Sequence, residues 1–186
     1  MEITTELKQT LKRLKLGGIL ATLPERGSYA KTQKLSHGEF LELVLNDEIE
    51  RREQGRTVRK MKSAYLDQEQ TFERFDWDAP ITVDREKVKD LFRLGFADRH
   101  ENVIICGPVG VGKTHLANAL GHSAVRRGLN VLMLRSQVLF KRLHQSRADH
   151  SFGKEVIGLI RPHVLIIDDF GLQRLTGSEA QDLYEV

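Results

Sequence analysis

The pattern of apolar positions divides the chain into a helical first third and a longer part in which short apolar runs alternate with helices. From Thr5 to about Leu23, leucine and isoleucine recur on one side while lysines lie elsewhere. This spacing predicts an amphipathic helix. The pair Gly17-Gly18 is expected to interrupt it and Pro24 to end it, because glycine and proline both disfavour a helix interior.

A second helix is predicted from a capping signal. Ser36 and Glu39 stand three residues apart, directly ahead of an apolar helical pattern, so each side chain can satisfy the other's backbone amide. Gly55 is expected to interrupt this helix before a basic segment continues to about Leu66. Residues 1–66 are therefore predicted to form a small all-helical N-terminal module.

The remainder of the chain predicts an α/β fold. Three apolar runs indicate strands, at Asn102–Cys106, Asn130–Leu134 and Val164–Ile167, and helical spacing separates them. Alternation of this kind is typical of a parallel sheet flanked by helices. Residues 67–101 are predicted to be a linker and a lead-in helix, and residues 102–186 the α/β core.

Composition limits the class of protein. The chain has 186 residues, 40% of them hydrophobic, with a mean hydropathy of -0.37. No apolar stretch approaches the roughly 20 residues that a membrane helix needs, and the start does not resemble a signal peptide. We therefore expect a cytoplasmic protein without membrane contact. The single cysteine, Cys106, excludes an internal disulfide and is expected to be buried in its strand.

Charge is distributed unevenly along the chain. The formal net charge is +3, but residues 1–62 hold 13 Lys and Arg against 9 Asp and Glu. Such a basic segment can follow a phosphate backbone, or it can be the solvated face of a helix, and charge alone does not separate the two. The basic residues concerned are Arg51, Arg52, Arg56, Arg59, Lys60 and Lys62.

The strongest motif lies between the first predicted strand and the helix behind it. Residues 107–114 fit the pattern G-x-x-x-x-G-K-[ST] of a phosphate-binding loop, whose glycine amides cradle phosphates at a helix N-terminus. The lysine would contact the phosphates and the threonine hydroxyl would bind Mg²⁺. The alternative is a glycine-rich turn that binds nothing, and the complete pattern in this setting argues against it. The motif residues are Gly107, Pro108, Val109, Gly110, Val111, Gly112, Lys113 and Thr114.

A second motif completes this interpretation. Four apolar residues lead into Asp168 and Asp169, as in the Walker B strand, where the first carboxylate holds Mg²⁺ and the next acidic group orients and deprotonates the attacking water. A buried strand that simply ends in a polar turn is the alternative. His115 follows Thr114 and is included in the candidate nucleotide site, although an ordinary structural role is the simpler interpretation for it.

With these residues placed, the chain resembles the IstB-like AAA+ ATPases, which help transposition of insertion sequences and are related to the DnaC helicase loader. The resemblance depends on Phe72–Trp77, Gly112–Ala117 and Leu165–Gly171. It implies an AAA+ type P-loop NTPase that binds and hydrolyses ATP with Mg²⁺ and forms homo-oligomers on DNA. The implied partner is a transposase or, for a loader, a replicative helicase. The resemblance also implies that Lys141 and Arg142 contact DNA.

One departure from the family pattern stands out. The family's core continues beyond the Walker B strand through a sensor strand, an arginine finger and a helical lid, whereas this sequence stops at Val186. We therefore expect a truncated chain with poor or absent hydrolysis and limited stability. A nucleotide-binding module without hydrolysis is accordingly a third interpretation.

Overall fold

The structure is a computed structural model that describes residues 3–77, 83–172 and 174–186. Residues 78–82 of the predicted linker lie outside these ranges. The chain forms two compact units, residues 1–58 and 59–186. The helices are α1 (Thr5–Arg13), α2 (Leu23–Gln33), α3 (His37–Ser63), α4 (Arg85–Phe92), α5 (Gly95–Asp98), α6 (Lys113–Arg126), α7 (Ser136–Ala148), α8 (Phe152–Ile160) and α9 (Gly177–Tyr184). Turns of 3₁₀-helix cover Gly17–Ala21 and Phe72–Arg74, and the strands are β1 (Val131–Arg135) and β2 (Val164–Asp168).

The first unit is held by a small apolar core. Ile19, Leu23 and Val44 are buried there, which joins the 3₁₀ turn and α2 to α3. Arg26 and Asp47 add a two-pronged ion pair between α2 and α3, with both nitrogen–oxygen distances at 2.8 Å. A cluster this small leaves the polar contacts a larger share of the unit's stability.

Two expectations about this unit are wrong and one is confirmed. Pro24 does not end a helix, since it lies in the first turn of α2, where a missing N–H costs nothing. Gly55 does not interrupt α3, which runs without a break to Ser63. The capping box is confirmed: Ser36 N–H donates to Glu39 Oε2 (2.7 Å), and Glu39 N–H donates to Ser36 Oγ (3.3 Å).

The second unit contains a parallel two-stranded sheet among the described residues. β1 and β2 pair in register from Val131 opposite Val164 to Arg135 opposite Asp168. α6 packs against both strands on one side, and α7 packs against them too. The expected parallel sheet with flanking helices is therefore confirmed, and the carboxyl ends of both strands lie at one edge.

The predicted strand Asn102–Cys106 is not formed. No residue of this segment belongs to the sheet described here, Ile104 is 84% exposed, and the thiol of Cys106, expected to be buried, is exposed too. A strand gains its stability from backbone pairing and from burial of its side chains. Within the described ranges nothing pairs with this segment, so its apolar pattern alone does not make it a strand.

The end of α3 belongs to the second unit. Ala64, directly after the helix, is fully buried in the core beneath α6, together with Met61 and Leu66 at its edge. The carbonyl of Ala64 also accepts a hydrogen bond from Met133 N–H of β1 (2.8 Å). Residues 59–66, which the sequence assigns to the N-terminal module, thus contribute to the core that supports α6.

Candidate functional site: the phosphate-binding loop and the end of β2

The loop at residues 107–114 is open to solvent and leads directly into α6. Gly110 and Gly112 both have φ of 85°, in the left-handed region that residues with a Cβ rarely adopt. Gly112 is the N-cap residue of α6. A Cβ added there would also lie 3.3 Å from Cε2 of Phe75, a tight contact that adds to the conformational preference for glycine. The loop therefore presents backbone amides at a helix N-terminus, the arrangement that suits an anion.

Lys113 lies folded over this loop. Its Nζ donates a hydrogen bond to the carbonyl oxygen of Pro108 (2.6 Å), which satisfies part of the ammonium group. A phosphate entering the loop would offer a charged acceptor in place of this neutral one, so that attraction between opposite charges would add to the hydrogen bond. The lysine is thus held beside the site with a partner that a phosphate can replace.

Thr114 and Asp168 meet although they are 54 residues apart. The hydroxyl of Thr114, in the first turn of α6, donates to Oδ1 of Asp168 at the end of β2 (3.0 Å). The contact follows from the fold, because α6 packs against the face of the sheet and its N-terminus faces the strand end. The two predicted magnesium ligands are therefore brought together, as two oxygen donors of the kind that Mg²⁺ prefers.

Asp169 is less constrained than Asp168, the other carboxylate at the end of β2. It has a left-handed backbone (φ 55°), and its side chain is 46% exposed. Ser136 Oγ donates to its carbonyl oxygen (3.0 Å), which fixes the backbone at the strand end. The nearest cation is Arg135, whose Nε lies 4.0 Å from Oδ2, and an exposed pair at this distance contributes little to stability. The carboxylate is thus free to face a ligand.

A dedicated metal cage does not occur in the described part of the chain, where no group of three or more His, Cys, Asp or Glu side chains could hold an ion. Mg²⁺ bound with nucleotides takes one or two protein oxygens and completes its shell with phosphates and water. Thr114 Oγ1 and Asp168 Oδ1 fit that requirement.

His115, included in the candidate nucleotide site, has a different partner. Its Nε2 lies 2.8 Å from the carbonyl oxygen of Thr71. Two further polar side chains of α6, Asn118 and His122, bind the backbone of Asp67. Sequence reasoning missed this contact. The available signal was a line of polar residues at positions 115, 118 and 122 on an otherwise apolar helix.

The six basic residues predicted to contact DNA fall into two groups. Glu48, whose side chain is 3% exposed, binds Arg51 Nη2 and Arg52 Nε, both at 2.7 Å. The hydrogen bond from Arg51, with help from Arg52, lowers the pKa of Glu48 to about 2 despite the opposing effect of burial. Lys60 donates to the carbonyl of Gly128. These three cations have structural partners.

The other three cations of α3 point into solvent. Within the described ranges, no ion pair or side-chain hydrogen bond holds Arg56, Arg59 or Lys62, and all three are exposed. The two candidates on α7 divide in the same way. Lys141 is exposed, whereas Arg142 Nε lies 2.6 Å from Oε1 of Glu155 on α8. Of the residues predicted to contact DNA, those available to a polyanion are thus Arg56, Arg59, Lys62 and Lys141.

The parallel sheet, the glycine loop ahead of α6 and the carboxylates at the end of β2 define a P-loop nucleotide-binding protein. Comparison with known families identifies the group more closely. The family described as IstB-like ATP binding protein matches residues 9–186. The chain belongs to this family, and membership supports ATP binding.

Relatives named for ATP binding come from several insertion sequences. One from Mycobacterium tuberculosis is 39% identical over 180 residues, which cover 97% of this chain and 72% of the relative. The protein named for insertion sequence IS5376 of Geobacillus stearothermophilus is 34% identical, covering 90% and 68%. That of IS1162 from Pseudomonas fluorescens is 35% identical, covering 99% and 80%. None of the helices described in this chain combines the length and apolar character needed to cross a membrane.

Proposed function

We propose that this chain is an ATP-dependent, DNA-binding helper protein that assists a transposase in moving an insertion sequence. The observation that carries the nucleotide part is the hydrogen bond between Thr114 and Asp168, because it joins the phosphate loop to the strand-end carboxylate. The transposition part is supported by relatives whose names place them in insertion sequences. These names favour a transposase over a replicative helicase as the partner.

In this proposal each residue of the site has one role. The amides of the loop around Gly110 and Gly112 bind the phosphate oxygens, and Lys113 exchanges the Pro108 carbonyl for the β- and γ-phosphates. Thr114 and Asp168 hold Mg²⁺, which neutralises phosphate charge when bound. Asp169, exposed beside them, orients a water molecule and accepts its proton. ATP hydrolysis is the reaction that this arrangement supports.

The DNA-binding role is assigned to the exposed cations. Arg56, Arg59, Lys62 and Lys141 have no competing partner among the described residues, so each is available to a phosphate of the DNA backbone. Assembly of several copies on DNA would repeat these contacts and raise the overall affinity. ATP-dependent homo-oligomers are part of the proposal for this reason.

A nucleotide-binding module without hydrolysis is the second candidate. The observation in its favour is the segment Asn102–Cys106, which leads into the phosphate loop and is unpaired in the described structure. A phosphate loop that follows an unpaired segment is positioned less precisely than one that follows a strand, and imprecise positioning slows catalysis. This candidate predicts nucleotide binding with little turnover.

The proposed function is tested by the Lys113→Ala variant, with Lys154→Ala of α8 as a control for the loss of one surface lysine. Equilibrium dialysis of labelled ATP with Mg²⁺ measures binding, release of labelled ADP measures hydrolysis, and a strand-transfer assay with the transposase of the same element measures assistance. We expect Lys113→Ala to weaken ATP binding at least tenfold and to abolish assistance, and Lys154→Ala to behave as wild type. Binding without ADP release supports the second candidate, and wild-type chain that retains no ATP contradicts both.

A further inference from the structure

The segment at residues 67–75, which we call the strap, follows the length of α6 towards the phosphate loop. Three side chains of α6 bind its backbone. His122 Nε2 lies 2.8 Å from the carbonyl oxygen of Asp67, Asn118 Oδ1 accepts the Asp67 N–H (2.8 Å), and His115 Nε2 lies 2.8 Å from the carbonyl oxygen of Thr71. A carbonyl only accepts, so both histidines carry a proton on Nε2. The strap is thus bound at its first residue and at its middle by directed hydrogen bonds.

Two of the three polar residues that hold the strap are buried, and His115 is half-buried. Asn118 is 2% exposed and His122 is 4% exposed. The amide nitrogen of Asn118 also donates to Gln70 Oε1 and to the carbonyl oxygen of Thr114, each at 2.9 Å. One asparagine therefore contacts both the strap and Thr114. Because a buried polar group left without its partner is costly, these bonds select one position of the strap along α6.

The far end of the strap reaches the phosphate loop itself. The ring of Phe75 contacts Gly112, the last glycine of the loop, and leaves little room beyond the glycine backbone. The same ring packs edge-on against His115, with ring centroids 5.3 Å apart and planes at 87°. His115 thus contacts the strap twice, through the carbonyl of Thr71 and through the ring of Phe75.

These contacts connect the shape of the loop to the position of the strap. A phosphate bound by the amides around Gly112 requires one backbone arrangement of the loop, and that arrangement must leave space for Phe75. Conversely, a strap released from His115 lets Phe75 move away and leaves Gly112 unsupported. Coupling between two such sites is reciprocal, since each must change the affinity of the other by the same factor.

We propose that the strap is a nucleotide-responsive element and that His115 is the positioning residue that couples it to the phosphate loop. The inference depends on the proposed binding of ATP at this loop. His115 has no contact with the phosphates in this account and acts through Thr71 and Phe75. Nucleotide binding tightens the strap, and a strap held in place tightens nucleotide binding.

The chain carries its own reporter for a test. Trp77 is the only tryptophan, and its ring centroid lies 4.7 Å from that of Phe75 and 5.3 Å from that of Phe72. The probe is a non-hydrolysable ATP analogue with Mg²⁺, titrated while Trp77 fluorescence and hydrogen exchange of the Asp67 amide are followed. We expect both signals to change as the analogue is added. The midpoint of each change should equal the midpoint that equilibrium dialysis gives for binding of the same analogue.

The decisive variant is His115→Phe, which keeps an aromatic ring against Phe75 and removes the hydrogen bond to Thr71. The loss of one such bond predicts about a fivefold weaker affinity for the analogue and about a fivefold smaller protection of the strap by nucleotide. His144→Phe, an exposed position on α7, is the matched control and should leave both unchanged. Should His115→Phe not fold, Phe75→Leu serves instead, since it removes the ring atoms that contact Gly112 and keeps the hydrogen bond between His115 and Thr71.

The outcomes separate this inference from the proposed function. Wild-type chain that binds the analogue without a change at Trp77 or in strap exchange overturns the strap proposal and leaves nucleotide binding standing. Unequal factors for affinity and for protection in the variant overturn it too. Wild-type chain that does not bind the analogue by dialysis overturns the proposed function and the strap proposal together.

Discussion

At the scale of single residues, Glu48 determines what two of the basic residues of α3 do. Its carboxylate is buried in the first unit and accepts hydrogen bonds from Arg51 and Arg52, so both guanidinium groups are directed towards the protein. A buried carboxylate without these partners would be strongly unfavourable. Two of the eight predicted DNA contacts are therefore explained by the stability of the unit.

Replacement of Glu48 by Gln should lower stability in a way that depends on pH. The pKa of Glu48 is lowered to about 2 by Arg51 and then Arg52, so its contribution is complete above the unfolded pKa near 4.5 and is lost as pH falls towards 2. We expect Glu48→Gln to cost on the order of 2 kcal/mol at pH 7, and the cost to shrink between pH 4.5 and pH 2. Urea unfolding followed by circular dichroism at several pH values measures it.

The control for this experiment is Glu42→Gln, which removes a carboxylate from an exposed position of the same helix. It should change the free energy of unfolding by less than about 0.5 kcal/mol at any of these pH values. If both variants lost the same stability at pH 7, the ion pairs of Glu48 would have no special role.

At the scale of elements, α6 depends on a glycine where two other elements approach it. A Cβ at Gly121 would lie 2.6 Å from Cδ2 of Leu66 and 3.1 Å from Cδ1 of Ile166, so the side chain of Leu66 in particular would have to shift. Gly158 of α8 is the opposite case, because its surroundings are open within 4 Å among the described residues. The same substitution should therefore have opposite effects on the two helices.

We expect Gly121→Ala to lower the free energy of unfolding by about 1–3 kcal/mol through overpacking. Gly158→Ala should raise it by about 0.5–1 kcal/mol, because alanine has the higher helix propensity and its Cβ would meet no neighbouring atom. Thermal unfolding of the two variants and of wild type measures both changes in stability and shows whether each is a loss or a gain. A stabilised Gly121→Ala protein would contradict the close packing of α6 against Leu66.

The elements that the sequence predicts well are those fixed by local chemistry. The capping box at Ser36, the helix after the phosphate loop, and the two strands that pair were all predicted within a few residues, since each is determined by neighbouring positions. Pro24 and Asn102–Cys106 were misread. Pro24 is compatible with either side of a helix boundary, and Asn102–Cys106 is apolar but unpaired in the described structure.

The candidate site also has one part that the sequence predicts and one part that it does not. Its loop and the end of β2 are recognisable because their residue types and order are dictated by phosphate and magnesium chemistry. The strap is not, because it is held by hydrogen bonds between the side chains of His115, Asn118 and His122 and backbone atoms more than 40 residues earlier. Backbone atoms are present at every residue, so no sequence pattern identifies which of them serve as partners.

At the scale of the whole molecule, the net charge of +3 does not indicate how many cations are available to bind a polyanion. The acidic residues are not spread evenly over the cations: Glu48 holds two of them, while Arg56, Arg59 and Lys62 have no ion pair within the described residues. A solvated helix face and a DNA-binding face differ in one measurable property. Only the second releases counterions from DNA when it binds.

We expect DNA affinity to fall with rising salt, and each of Arg56→Gln, Arg59→Gln and Lys62→Gln to make the slope of log K against log salt shallower by about 0.9. Lys87→Gln, which removes a cation paired with Asp84 on α4, should leave the slope unchanged. Arg51→Gln should lower the stability of the first unit instead, because Glu48 loses its main partner. Filter binding to random-sequence duplex between about 50 and 200 mM salt measures the slopes. Equal slopes for wild type and all three variants would show that these cations are a solvated face and that DNA binding, where it occurs, uses other residues.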